Sequence, residues 1–256
     1  MSEQQAAFFD HDGVEIAYRH REGKSPGVVW LGGYRSDMLG TKAEALDEWA
    51  ARTGHAFLRH DYSGHGESGG EFRYGTISKW LGESLAAFRR FTSGRQILVG
   101  SSMGGWIALR MAEELRKAGE DRVAGIVLLA PAPDFTTELI EPKLKKSQKR
   151  DLETKGFFEV PSEYSPEPYI YTRALFEDGK LNRVLGKPID THSPVHILQG
   201  MADPDVPHTH ALKLVGCLPS DDVTLSLIPD GDHRLSRQQD LDMLIDAVDG
   251  MIERAA

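Results

Sequence analysis

The sequence predicts an α/β fold in which a mostly parallel central sheet carries helices on both faces. Two observations predict it: short apolar runs bounded by Gly or Pro recur along the chain, and amphipathic stretches of helical length separate them. A strand covered on both faces has no polar side to show, so it reads as a continuous apolar run rather than an alternation. Strand–helix–strand repetition then sets successive strands parallel in one sheet.

Taken in order, Phe8-Phe9 and Val14 to Tyr18 flank Asp12-Gly13, a hairpin signal that puts an antiparallel pair at the front. Val28 to Leu31 stops at Gly32-Gly33, and Lys42 to Ala51 is rich in helix formers and ends before Gly54. Ala56 to Leu58 runs into Asp61 and a glycine-rich turn. Ile77, Trp80, Leu81, Leu85, Phe88 and Phe91 share one helix face, with Ser93-Gly94 as the stop. Four more strand-like runs follow: Gln96 to Val99, Ile126 to Leu129, Val195 to Leu198 and Val223 to Ile228. Asp134 to Asp190 breaks the rhythm with many charges, a Pro/Tyr-rich stretch from Pro161 to Tyr171 and no strand-like run. It is expected to be a cap inserted over the strand C-termini, within one domain spanning residues 1–256.

With 40% hydrophobic and 27% charged residues the chain can bury a core, and 39 acidic against 30 basic residues give a net charge of -9. That balance argues against a nucleic-acid partner, which needs clustered positive charge. The basic run from Lys143 to Arg150 is followed by Asp151 and Glu153 and reads as a solvated helix face. A single cysteine, Cys217, forbids an intrachain disulfide, suggests a reducing compartment and reads as a small core residue. Met1 to Asp10 lacks the pattern of a signal peptide, and no segment has the apolar length of a bilayer span. The expected location is the cytoplasm.

Gly100-Ser101-Ser102-Met103-Gly104 is a G-x-S-x-G motif directly after a predicted strand and before a predicted helix. The chain must reverse sharply there, and the glycines let strand and helix approach. Ser102 is thereby exposed at a helix N-terminus as the candidate nucleophile, and Ser101 is only its neighbour. This context resembles the nucleophile elbow of the α/β-hydrolases, in which serine, acid and histidine follow in that chain order. A serine hydroxyl needs a base. Of the histidines after the motif, His196 lies inside an apolar run and reads as packed. His233, in Asp230-Gly231-Asp232-His233 after the last strand, is the candidate base. Asp203, after the strand ending at Leu198, is the preferred acid; Asp205 reads as a helix cap, and Asp134 is a further candidate. The oxyanion donors are expected to be the amides of Met103 and Tyr34, the latter with a side chain that lines the pocket or packs. Two loose clusters, His60 to Gly66 and Asp203, Asp205, His208 and His210, lack a recognised metal spacing, and Gly64-His65-Gly66 lacks the context of a nucleotide loop. No cofactor and no metal are expected.

More narrowly, the chain resembles the palmitoyl-protein thioesterase / acyl-glucuronide esterase branch of the α/β-hydrolase domain-containing proteins. The segments that carry the resemblance are Gly33-Tyr34 with Ser36-Asp37-Met38 and Gly40 to Ala43, Asp61 to Gly64, Gly100 to Trp106, Gly200-Met201 with Asp203 and Val206-Pro207, and Asp232-His233-Arg234. The resemblance supports Asp203 over Asp205 and implies hydrolysis of carboxylic esters and thioesters through an acyl-enzyme. The expected partner is therefore a small-molecule acyl ester or thioester. A carbon–carbon bond hydrolase with the same three residues, or a binding protein without turnover, are the alternatives. The branch includes a mitochondrial enzyme, but no arginine-rich transit segment is evident at the start of this chain.

Overall fold

The computed structural model describes residues 5–161, 168–218 and 222–255. Every predicted strand is present, most of them longer than the apolar run that marked it. The antiparallel pair is β1 (Ala7–His11) and β2 (Val14–Arg21). Asp12 and Gly13 both take positive φ at its turn, as a two-residue hairpin of the favoured twist requires. The parallel strands are β3 (Lys24–Leu31), β4 (His55–His60), β5 (Gln96–Ser101) and β6 (Val123–Leu129). After an interval come β9 (Val195–Gly200) and β10 (Val223–Ile228). These eight strands form one sheet in the order β1-β2-β4-β3-β5-β6-β9-β10, with β1 and β2 antiparallel to their neighbours and the rest parallel.

Helices cover both faces, because strands such as Val28–Leu31 and Val123–Leu129 are buried throughout and need cover on each side. On one face α2 (Ile77–Phe91) and α3 (Met103–Lys117) pack Trp80, Phe88, Trp106 and Met111 against Val29, Leu98 and Ile126. On the other, α1 (Thr41–Thr53) and α7 (Gln238–Ala255) pack Leu46, Trp49, Leu244 and Met251 against Val28, Ile97 and Val127. Thr76 caps α2 by accepting from the Lys79 amide, and Gly54 ends α1 in the left-handed conformation.

The segment between β6 and β9 corrects one expectation. It contains a two-stranded antiparallel sheet, β7 (Phe157–Val160) with β8 (Tyr169–Thr172), flanked by α4 (Lys146–Thr154) and α5 (Arg173–Leu181). Each strand is four residues long, too short to display a period in sequence, and among the described residues each pairs only with the other. None of the α4 residues is buried, consistent with the solvated face expected of the basic run. Cys217 is half-buried where α6 (His208–Gly216) ends, not enclosed in the core. Residues 162–167 of the Pro/Tyr-rich stretch, Tyr164 among them, lie outside the described residues. No helix among the described residues is long and apolar enough to cross a membrane.

Candidate active site

The strand β5 and the helix α3 meet at Ser102, whose φ of 54° and ψ of -116° place a non-glycine residue in a sparsely populated conformation. Packing enforces that elbow. A Cβ on Gly104 would stand 2.0 Å from the Leu31 carbonyl oxygen, and one on Gly100 2.4 Å from that of Gly104. The backbone of Ser102 is also tied down: its N–H donates to Leu129 (2.9 Å), and its carbonyl accepts from Gly105 and Ala132 (both 3.0 Å). Its hydroxyl lies 3.2 Å from His233 Nε2.

His233 Nδ1 lies 2.8 Å from Asp203 Oδ2. An ionised carboxylate only accepts, so Nδ1 carries the proton and Nε2 is left as the acceptor facing Ser102. The Asp203 side chain is fully buried, with Oδ1 accepting from the amides of Asp205 and Val206 (both 2.8 Å) and Gln199 Nε2 3.3 Å from Oδ2. One oxygen thus fixes the acid's own turn while the other faces the histidine. The two loops that carry Asp203 and His233 are joined by backbone: Met201 N–H donates to Ile228, and Ala202 N–H to Gly231. Gly200 and Gly231 touch so closely that a Cβ on Gly200 would lie 2.2 Å from the Gly231 oxygen.

The other two acids stand elsewhere. Asp205 does not cap α6; the residue at that cap is Pro207, and Asp205 instead lines the cavity beside His233. Asp134 is buried and accepts from the amides of Val184 (2.9 Å) and Leu185 (2.8 Å), tying the end of the β6–β9 segment to its beginning. Burial raises its pKa above the usual carboxylate value. Asp203, Asp205 and His233 offer ligand atoms within 4.8 Å of one another, a spacing that could hold a cation, though two of them already serve the hydrogen-bonded chain to Ser102.

A cavity of about 350 Å³ opens on Ser102 and His233. Its walls are Met103, Ala132, Phe135, Leu139, Ile140, Leu144, Val160, Tyr169, Tyr171 and Val206, with Lys143, Gln148 and Asp205 as the polar members. Phe135, Leu139, Ile140, Tyr169 and Tyr171 all come from the segment between β6 and β9. Phe158 and Phe176 are buried, with the Phe158 ring against both Tyr171 and Phe176, and serve the segment's own packing. Tyr34 both lines the cavity and packs: its ring stacks on Tyr171 at 5.5 Å, and its hydroxyl donates to the Ile170 carbonyl. A second cavity, about 330 Å³, meets the first at Tyr34, Ser102, Tyr169 and His233 and is lined by Arg35, Asp37, Lys42 and Arg234. Lys42 donates to the Arg234 carbonyl, and burial lowers its pKa to about 8.

Sequence reasoning missed Tyr62 and His65. Both are buried in the Asp61–Gly66 turn and bond to the loop that holds Tyr34: Tyr62 Oη donates to the Gly32 carbonyl (3.1 Å), and His65 Nε2 accepts from the Arg35 amide (3.2 Å). The signal was present as a polar cluster directly after β4, weighed as a metal or nucleotide site and as a mark of the resemblance, but not as a support for the Tyr34 loop.

The model of the alpha/beta hydrolase family matches residues 28–247, which takes in the parallel strands from the second half of β3 to β10 and leaves out β1 and β2. The chain belongs to the alpha/beta hydrolase family. Within that family it is 35% identical over 240 residues to the palmitoyl-protein thioesterase ABHD10, mitochondrial, of Mus musculus, covering 93% of this chain and 79% of the mouse protein. A presumed hydrolase from Agrobacterium vitis S4 is 57% identical in its crystal structure, covers 98% of both chains and superposes with a TM-score of 0.92. The structure of the mouse alpha/beta hydrolase domain-containing protein 10 is 32% identical, with a TM-score of 0.89, 98% of this chain covered and 100% of that one. The expected branch of the family and an enzyme of the ester- and thioester-hydrolysing type are both supported. The cytoplasmic placement is not: the mouse, bovine and human relatives are mitochondrial by name. A lone cysteine indicates a reducing environment, which does not single out the cytoplasm, and that inference is withdrawn.

Proposed function

We propose that this alpha/beta hydrolase is a serine esterase or thioesterase working through an acyl-enzyme. The hydrogen-bonded chain Asp203–His233–Ser102, standing at the mouth of an apolar cavity, carries the reading. His233 takes the Ser102 proton as Oγ attacks the acyl carbon. The amides of Tyr34 and Met103 hold the oxyanion, and His233 then returns the proton to the departing alcohol or thiol. Water repeats the sequence to release the acid. Asp203 keeps the imidazole in the tautomer the attack needs and stabilises its cation.

The segment from 134 to 190 acts as a cap that supplies most of the acyl pocket, with Phe135, Leu139, Ile140, Tyr169 and Tyr171 against the chain of the substrate. The second cavity, beyond Ser102, receives the leaving group. The ABHD10 relatives are palmitoyl-protein thioesterases by name, which favours acyl thioesters among the substrates.

The deciding experiment is reaction with a fluorophosphonate, read by intact mass and peptide mapping. One label per chain, on Ser102, is expected. Label on Ser101, or none, overturns the assignment.

A further inference from the structure

We infer that Tyr62 and His65 are positioning residues for the oxyanion loop, each fixing one side of the peptide whose N–H is the proposed Tyr34 donor. The inference rests on the serine-hydrolase reading above. Gly32-Gly33-Tyr34-Arg35 leaves the end of β3 and passes over Ser102, with the Cβ position of Gly33 only 3.4 Å from Ser102 Cβ. The loop has no sheet or helix ladder, and its own turn bond, Ser36 N–H to the Gly33 carbonyl (3.1 Å), holds the Gly33–Tyr34 peptide only at its carbonyl end. Arg35 takes a positive φ of 57°, a conformation that needs outside support in a residue with a side chain.

The flanking peptides are held by the turn after β4. Tyr62, 1% exposed, donates its hydroxyl to the Gly32 carbonyl, one peptide before Gly33. His65, 4% exposed, accepts the Arg35 amide at Nε2, the peptide that follows Tyr34. The Gly33–Tyr34 peptide plane is therefore bracketed by two side chains from a single turn.

The brackets are themselves held. His65 Nδ1 lies 3.2 Å from the Ser63 carbonyl, which fixes the proton on Nδ1 and keeps Nε2 an acceptor. Ser63 N–H in turn donates to the buried Glu83 (2.8 Å), and Trp80 Nε1 donates to the Ser63 carbonyl (3.2 Å). The His65 ring is packed edge-on against Tyr62 and Trp80. Burial pushes its pKa down to about 4, so the ring is neutral near pH 7. Asp61 completes the contact, accepting the Met38 amide (2.7 Å) at the far end of the same loop. The function of the polar cluster His60–Gly66 is thus to fix where the oxyanion donor points.

The test compares wild type with Tyr62→Phe, His65→Leu and His65→Gln on p-nitrophenyl butyrate. It also measures inhibition by an alkyl trifluoromethyl ketone, which forms a tetrahedral adduct on the serine. Tyr62→Phe deletes one hydrogen bond and should lower kcat about two- to tenfold. His65→Leu should lower it more, about ten- to a hundredfold, part of the effect of losing an oxyanion donor outright. KM should stay within about twofold, and the ketone inhibition constant should rise by the same factor as kcat/KM falls. His65→Gln, which can still offer an acceptor to Arg35, should recover part of the loss. Variants that lose Tm but keep kcat per fluorophosphonate-titrated site, with the ketone constant unchanged, overturn the inference. If His65→Leu does not fold, the near-isosteric Tyr62→Phe still decides. An inactive, unlabelled wild type would overturn the serine-hydrolase reading beneath it, whereas an active wild type with unaffected variants overturns this inference alone.

Discussion

The loops at the strand ends and the segment between β6 and β9 both face Ser102, yet they are held in different ways. The loops are fixed backbone to backbone: Gly200 lies on Gly231, and Gly104 on Leu31, at separations that admit no side chain. The segment is fixed through side chains: Tyr34 packs on Tyr171 and Phe135 on Trp106, and Tyr34 and Trp106 donate to the Ile170 and Asn182 carbonyls. Backbone contact tolerates no change and sets atoms to fractions of an ångström, as proton transfer requires. Aromatic packing tolerates exchange of one shape for another. Under the proposed function, chemistry belongs to the first region and selectivity to the second.

The largest effect should come from breaking the first region at its acid. Asp203→Asn leaves the turn in place but disturbs the histidine's tautomer, and kcat should fall by about a thousandfold or more with KM little changed. Asp205→Asn should be far milder. Asp134→Asn should lower Tm rather than kcat, because Asp134 bonds to Val184 and Leu185 and not to His233. Steady-state kinetics beside thermal melts separate the three; a crippled kcat in Asp134→Asn would move the acid to β6.

Gly200→Ala comes next. Its methyl would meet the Gly231 oxygen and must part the acid loop from the base loop. The expected result is a loss of kcat of about tenfold or more together with a lower Tm, since a clash of backbone with Cβ cannot be relieved by a rotamer change. Normal turnover in this variant would show that the two loops need not touch.

The second region is sharpened by Phe135→Ala. In wild type, kcat/KM for p-nitrophenyl esters should rise from acetyl upward by about fourfold per methylene buried, until the cavity ends. Removing Phe135 should flatten or displace that rise and leave acetate hydrolysis within about twofold. An equal loss on every chain length would mean that Phe135 supports the triad rather than the acyl chain.

The smallest effect concerns pH and the turn after β4. Burial depresses His60 and His65 to about 4 from 6.5. A depressed base leaves the folded state short of protons that the unfolded chain binds, so this stability is complete above about 6.5 and is lost as pH falls toward about 4. Asp61, raised by burial from 3.8 to about 6, acts with the opposite sign over part of that window and offsets some of the loss. Chemical denaturation between pH 7 and pH 4 should show falling stability, less steeply in His60→Phe. A flat profile would mean that neither histidine is kept neutral by the fold.

The first region was largely legible in the sequence. Ser102, His233 and Asp203 each follow a strand-like run directly, so local pattern alone put them at one end of the sheet, where the fold brings them together. Asp205 misled, because a carboxylate shortly before a helix resembles a cap, whereas this turn is closed by Asp203 itself. The strands Phe157–Val160 and Tyr169–Thr172 went unseen because pairing, not periodicity, makes them strands. Tyr62 and His65 were visible as residue types, but their roles lie in contacts to a loop about thirty positions earlier, which no local pattern records.

Asp134 closes the β6–β9 segment upon itself, since its carboxylate at one end holds the amides of Val184 and Leu185 at the other. The intervening stretch is therefore a module clasped at its neck, where Arg183 also pairs with Glu138 and Lys180 with Glu141. A foreign loop of different length could be grafted between residues 135 and 183 without disturbing the register of any strand in the main sheet, provided the clasp were kept. Descent can explore new substrates through that one interval while the hydrolytic machinery stays untouched.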